Sequence, residues 1–281
     1  MNATERMGLL GSDTWRLYLD LDRQDRGSAA FDEGIGGTRE PGYLASVLAG
    51  HAYASERVTA PISTEDYRVL QERVTQHDAP AEFWRPGRAW VHAPRVALEP
   101  GIEEAWDPLG VFIDTSAATR PGWVRIMLTL HAGDANALAD LTGQLLREGQ
   151  RVIDESPPAD RLLEIARLHQ RLELLHPTRD TNTRRHLVLL QWLLVRAGFI
   201  PSLLTEPNHV YCRRADSWAR CIREGMDRTR AVHHAHQRGL DVAGVLTGFD
   251  VRHRPLGSGI GRWHRPESVR AAWVDPLSPG W

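Results

Sequence analysis

The chain has 281 residues, of which 42% are hydrophobic and 25% are charged. This balance is typical of a soluble globular protein and excludes global disorder. The formal net charge of −2 argues against a nucleic acid or an anionic membrane as a partner, and no segment is apolar for long enough to span a bilayer.

The basic residues are unusual, because all 34 are arginine and the chain contains no lysine. High-GC codon usage, as in some bacteria, would account for this, and any basic phosphate contact must then come from Arg or a protonated His. Cys212 and Cys221 fit neither a disulfide framework nor a zinc motif, and the polar N-terminus shows no secretory signal. These features predict a cytoplasmic protein, with delivery as an effector left open.

The predicted elements begin with helices at 41–55 and 64–75. Four prolines exclude a long helix over 84–115, and we expect segments 89–97 and 110–113 to form an irregular β-hairpin or flap. Further predicted helices occupy 121–131, 135–153, 158–175, 184–197 and 214–237.

The pattern predicts a mostly α fold. We expect an N-terminal helical extension over 1–85, a helical core with a small flap over 86–237, and a C-terminal segment over 238–281 that wraps around the core. The tail from 247 to 281 shows no clear periodicity, so coil with short elements is expected there.

The stretch 166–201 holds the residues best suited to chemistry. His169 and His176 lie on one apolar helix face, and Pro177 should end that helix at His176. A polar turn follows, and it leads into the apolar run 187–195, which predicts a helix buried on all sides. A polar turn at the start of a buried helix is placed to line a pocket.

Cations at the start of that helix suggest an anion site. Arg184 and Arg185 oppose the positive end of the helix dipole at a cost of about 0.3–1 kcal/mol each. An anion bound at this end would make the local electrostatic energy favourable. Asp180 could hold a divalent cation, and His176 could accept a proton from an attacking hydroxyl. Each residue also has an ordinary structural explanation as a helix end, a cap or a solvated cation.

The order of these residues resembles the Fic/Doc family, whose motif reads H-P-F-x-D/E-G-N-G-R-x-x-R. Residues 176–187 read HPTRDTNTRRHL, so His, Pro, Asp, Asn and the first Arg match without a gap. Ala166 and His169 upstream and the sequence RAGFIP at 196–201 downstream also match the family. The resemblance covers about 36 residues and implies a Fic-like helical core.

The resemblance implies a role for each matching residue. His176 would deprotonate an acceptor hydroxyl, and Asp180 would bind Mg²⁺. Asn182 and the backbone around it would cradle a phosphate group that Arg184 binds, and segment 89–97 would clamp the target. The full predicted phosphate or nucleotide site comprises Thr181, Asn182, Thr183, Arg184 and Arg185. The expected partners are a nucleotide or other phosphate-containing small molecule and a hydroxyl acceptor on a protein or small molecule.

The departures from the motif point to a changed activity. Thr181 and Thr183 replace both glycines, and a β-branched Thr should resist a positive φ. Thr178 replaces an anchoring Phe, and Leu187 replaces the second Arg, which meets the outermost phosphate of a triphosphate. We therefore expect a transferase or phosphate-ester lyase that does not perform ordinary ATP-dependent AMP transfer. The alternative is a non-catalytic Fic-like binding or effector module.

Overall fold

The structure is a computed structural model that describes residues 1–19, 24, 42–75, 84, 88–106, 111–114, 122–129, 134–178 and 181–253. These residues are mostly helical, which confirms the predicted fold class. The α-helices are α1 (Ala3–Met7), α2 (Tyr43–Glu56), α3 (Thr64–Thr75), α4 (Ile102–Trp106), α5 (Ala135–Glu155), α6 (Arg161–Leu175), α7 (Asn182–Arg196), α8 (Ala215–Arg238) and α9 (Val242–His253). The strands are β1 (Arg88–Pro94), β2 (Val111–Asp114) and β3 (Trp123–Thr129), and 3-10 helices cover Gly11–Tyr18, Arg95–Ala97 and Pro207–Cys212.

Most predicted helices agree with the structure to within three residues at each end. Helix α3 has the predicted bounds, and a reciprocal N-capping arrangement fixes its start. The Asp66 amide donates to Ser63 Oγ at 3.0 Å, and Asp66 Oδ2 accepts from the Ser63 amide at 2.9 Å. Helix α9 occupies the start of the predicted C-terminal segment and packs against α8. Residues 254–281 of that segment lie outside the described residues.

The helix predicted at 121–131 is wrong, because β3 occupies this segment. Val124, Ile126 and Leu128 are buried, and the residues that alternate with them are partly exposed. This period of two belongs to a strand with one face on the core. Strand β3 pairs antiparallel with both β1 and β2 and lies between them. The expected hairpin is therefore a three-stranded sheet whose central strand comes last in the chain.

Helix α7 lies at the centre of the core. Every residue from 187 to 195 is buried, as the apolar run predicted. The N-terminal elements α1, α2 and α3 pack against α7, as does α6. The predicted N-terminal extension thus helps to enclose the central helix. No helix among the described residues is both long and apolar enough to cross a membrane.

Gly225 marks a close approach between α8 and the chain that follows α7. The Leu203 amide donates to the Gly225 carbonyl at 3.0 Å, and a Cβ at Gly225 would lie 2.2 Å from Ser202 Oγ and 3.0 Å from the Leu203 carbonyl oxygen. We expect Gly225→Ala to lower the free energy of unfolding by about 1–3 kcal/mol, because the backbone must move apart. Urea unfolding checks this, with Gly8→Ala as the control, where the nearest atom is 3.6 Å away. Equal losses in both variants would contradict the prediction.

Candidate functional site

The loop between α6 and α7 has an uncommon backbone. His176 has φ 45° and Thr181 has φ 60°, and they are the non-glycine residues with positive φ in the described part of the chain. Such conformations persist only where the surroundings hold them, and they cluster at functional sites. Thr181 thus adopts the conformation that we expected a β-branched residue to resist. Its Oγ1 accepts a hydrogen bond from Gln71 Nε2 of α3, which helps to hold it there.

His176 caps the C-terminal end of α6, where Pro177 was predicted to stop the helix. Its amide donates to the Leu172 carbonyl at 3.3 Å, and its side chain is buried. Burial lowers the pKa of His176 to about 4, and the nearby Glu173 opposes this shift only in part. The imidazole is therefore neutral at pH 7, which is the protonation state that a general base needs.

The side chain of Asn182 closes the loop on itself. Asn182 Oδ1 accepts from the Thr178 amide at 3.2 Å and from Thr178 Oγ1 at 2.8 Å, and Asn182 Nδ2 donates to the Thr178 carbonyl at 2.7 Å. Thr178 also forms a β-bridge with Trp84, whose ring stacks on Tyr67 at 5.9 Å. Hydrogen bonds and this aromatic pair thus anchor the loop where the Fic/Doc motif has a Phe. The predicted contact of Asn182 with a phosphate stays a prediction.

The structure gives the two arginines of the predicted phosphate site different surroundings. Arg185 is fully buried and lies with its guanidinium carbon 3.8 Å from the Tyr67 ring centre. Its Nη1 donates to Gln71 Oε1 at 2.6 Å, and its Nη2 donates to Asn182 Oδ1 at 2.8 Å and to the Tyr67 hydroxyl at 2.7 Å. Arg185 therefore stabilises the loop from within the protein.

Arg184 is better placed to meet an anion. It is half-buried in the first turn of α7 and lies 4.5 Å from the Tyr43 ring centre. Burial lowers its pKa to about 10, so it stays a cation at neutral pH. Thr181 provides no side-chain cap to α7, and Arg184 lies in the first turn, where the helix dipole favours an anion.

Beneath the loop lies a buried polar cluster that sequence analysis missed. Tyr67 Oη is 2.7 Å from His186 Nε2, and His186 Nδ1 is 3.2 Å from Glu173 Oε2. The Tyr211 hydroxyl donates to the same carboxylate oxygen at 2.7 Å. Glu173 stands four residues after His169 and three before His176, and this spacing was the signal that could have identified it.

His169 has a structural setting of its own. Its Nδ1 accepts from Trp218 Nε1 at 3.1 Å, and the two rings stack with centroids 5.8 Å apart. Burial lowers its pKa to about 4. His169 is therefore a neutral acceptor that connects α6 to α8.

The expected metal ligand, Asp180, lies outside the described residues. Within the described ranges, no group of three or more His, Cys, Asp or Glu side chains could hold a metal ion. The predicted role of Asp180 in binding Mg²⁺ stays a prediction.

Comparisons with known proteins leave the site to be interpreted from its geometry. No family model matches the chain, and no curated protein gives a significant match.

Proposed function

We propose that the loop between α6 and α7 is the active site of a Fic-like enzyme that acts on a phosphate-containing substrate. The observation that carries the proposal is a neutral buried imidazole, His176, at one end of a strained loop whose other end presents Arg184 in the first turn of a helix. A base and an anion site on one loop are the basic requirements of transfer from a phosphate ester to a hydroxyl.

In this proposal the phosphate group binds to Arg184 and to the first-turn amides of α7. His176 accepts the proton of the acceptor hydroxyl as the hydroxyl oxygen attacks phosphorus. The bond from phosphorus to the leaving group breaks on the opposite side. A pKa of about 4 makes His176 a weak base by itself. An anion bound beside the ring would favour its protonated form and raise that pKa towards neutrality, where general bases work best.

Leu187 supports a donor other than ATP. The side chain is buried in the core and offers no hydrogen bond to an outermost phosphate. Leaving that charge unpaired in a partly enclosed site would be costly. A diphosphate donor, a monophosphate ester or another phosphorylated metabolite fits the single half-buried guanidinium of Arg184 better.

The phosphate site is tested by calorimetry with inorganic phosphate, pyrophosphate, ADP and ATP. We expect Arg184→Ala to weaken binding of the tightest of these by about 1.5–3 kcal/mol, the range for hydrogen bonds to charged groups. Arg223→Ala is the matched control, because it removes the same charge from an exposed position on α8. Equal affinities in the two variants would place the anion elsewhere.

The chemistry is tested with His176→Ala and a panel of labelled donors that includes ATP, a nucleoside diphosphate ester and simple phosphate monoesters. We expect transfer or cleavage to fall by about 10²–10⁴-fold, the usual contribution of a general base, while phosphate binding persists. Robust His176-dependent incorporation of AMP from ATP would overturn the choice of donor. If His176→Ala leaves every measurable function intact, the non-catalytic binding or effector module becomes the better account.

A further inference from the structure

Arg184 lies where a cation is disfavoured for two reasons. It stands in the first turn of α7, where the helix dipole opposes positive charge, and its side chain is half-buried, which removes part of its hydration. The ring of Tyr43 offsets part of this cost, since the guanidinium carbon lies 4.5 Å from the ring centre. The face of an aromatic ring is electronegative and attracts a cation within about 6 Å of its centre. Contact with Tyr43 therefore favours this placement of the Arg184 charge.

The Tyr43 side chain is fixed at both of its ends. Its backbone begins helix α2, which packs against α7. Its hydroxyl donates to the Tyr18 carbonyl at 2.8 Å, and the Tyr18 hydroxyl lies 2.7 Å from His51 Nδ1, further along α2. Tyr18 and His51 are both buried. The Tyr43 ring is thus held between a helix and a carbonyl group, and it cannot swing away from the guanidinium without breaking a hydrogen bond.

An aromatic ring can restrict an arginine without occupying its hydrogen-bond donors. A guanidinium that packs on the face of a ring keeps its N–H groups directed outwards in its own plane, where they can meet the oxygen atoms of a phosphate. Restricting the side chain before the ligand arrives reduces the entropy that binding must lose. A phosphate ligand would then meet a guanidinium that is already in place.

We infer that Tyr43 is a positioning residue of the proposed phosphate site: its ring face holds the Arg184 guanidinium in place, and the Tyr18 carbonyl anchors the ring. This inference rests on the proposed function, because it takes Arg184 as the phosphate ligand. It extends the site to the N-terminal elements of the chain, which lie outside the Fic-like motif. Tyr43 acts through Arg184 and is not assigned contact with substrate.

A double-mutant cycle tests whether Tyr43 acts through Arg184. Calorimetry with pyrophosphate is run on the parent protein, Tyr43→Leu, Arg184→Ala and the double variant. Leucine keeps apolar bulk and removes the ring, so Tyr43→Leu should weaken binding by about 3- to 30-fold, the size of a cation–π contact. In the Arg184→Ala background the same substitution should change affinity by less than about twofold. No loss in the parent background, or equal losses in both backgrounds, overturns the inference.

Two further variants separate positioning from a general effect on α2. Tyr43→Phe keeps the ring and loses its anchor on Tyr18, so its pyrophosphate affinity should lie between those of Tyr43→Leu and the parent protein. Tyr53→Leu is the matched control, because Tyr53 also lies on α2 and has the Arg57 guanidinium carbon 5.7 Å from its ring centre. Its urea midpoint should fall while its pyrophosphate affinity stays within about twofold of the parent. A loss of affinity equal to that of Tyr43→Leu contradicts a specific role for Tyr43.

A spectroscopic measurement without ligand separates this inference from the proposed function. Protons above an aromatic face resonate upfield, so the Arg184 side-chain protons, assigned through Arg184→Ala, should be shifted upfield in the parent protein and in Tyr43→Phe. In Tyr43→Leu they should return towards ordinary values. If Arg184→Ala weakens pyrophosphate binding but this shift is absent or survives Tyr43→Leu, the inference alone fails. If Arg184→Ala leaves affinity unchanged, the proposed function fails and the role of Tyr43 fails with it, even where the shift is present.

Discussion

Acid is expected to unfold this protein near pH 5, well before its carboxylates are protonated. Burial lowers the pKa of His51, His169 and His176 to about 4 each, and burial and the adjacent Arg185 also lower the pKa of His186. In the unfolded chain each imidazole takes up a proton near pH 6.5. Between these values the unfolded state binds more protons than the folded state, so stability falls as the pH falls.

The expected size of this effect is large. The stability contributed by the neutral histidines is fully present above about pH 6.5, and it is lost progressively as the pH falls to about 4. With four such histidines the slope approaches about 5 kcal/mol per pH unit. Many domains have about 5–10 kcal/mol in total, so one to two pH units below 6.5 should exhaust the stability.

Urea unfolding at pH 7.5, 6.5, 6.0 and 5.5 measures the slope. His51→Gln keeps an acceptor for the Tyr18 hydroxyl, which lies 2.7 Å from His51 Nδ1. This variant should take up about one proton fewer on unfolding, so its stability should fall less steeply with pH. His234→Gln is the control, because His234 is exposed on α8, and it should keep the slope of the parent protein. A stability that is flat between pH 6.5 and 5.5 would show that these rings are already charged in the folded state.

The predicted helices were correct where a helical period coincided with clear ends. Helix α6 ends at Leu175 because Pro177 follows His176, and α7 is buried along 187–195 because its residues are apolar all round. Strand β3 was mistaken for a helix, although Val124, Ile126 and Leu128 alternate along it. Seven residues are too few for apolar content alone to distinguish a strand from a helix.

The candidate site was predictable only for residues inside the motif. The motif drew attention to His176, Asn182 and Arg184, but it did not show that Arg185 faces inward, because that depends on the packing of α3. Tyr67 lies more than 100 residues before Arg185 in the chain and meets it only in the folded protein. Contacts at such separations leave no local pattern in a single sequence.

Asn182→Ala should destabilise the protein strongly, although the motif presents Asn182 as a phosphate ligand. The side chain is buried, and it accepts from the Thr178 amide and hydroxyl and from Arg185 Nη2 while donating to the Thr178 carbonyl. The substitution removes all of these hydrogen bonds together and takes one acceptor from the buried guanidinium of Arg185. We expect the free energy of unfolding to fall by about 3–5 kcal/mol, since each buried polar group that loses a partner costs about 1–3 kcal/mol.

Two further variants separate a structural from a ligand-binding role for Asn182. Asn182→Asp keeps the acceptor oxygens toward Thr178 and Arg185 and loses only the donor to the Thr178 carbonyl, so it should be destabilised less than Asn182→Ala. Asn208→Ala removes an exposed Asn from the 3-10 helix Pro207–Cys212 and should change stability by less than about 0.5 kcal/mol.

Urea unfolding and phosphate calorimetry are run on each variant. If Asn182→Ala matches the parent protein in stability but binds phosphate more weakly, Asn182 is a ligand and the loop is held without it. If stability falls in the expected order, Asn182 organises the loop, and the phosphate site depends on it through the backbone that it holds.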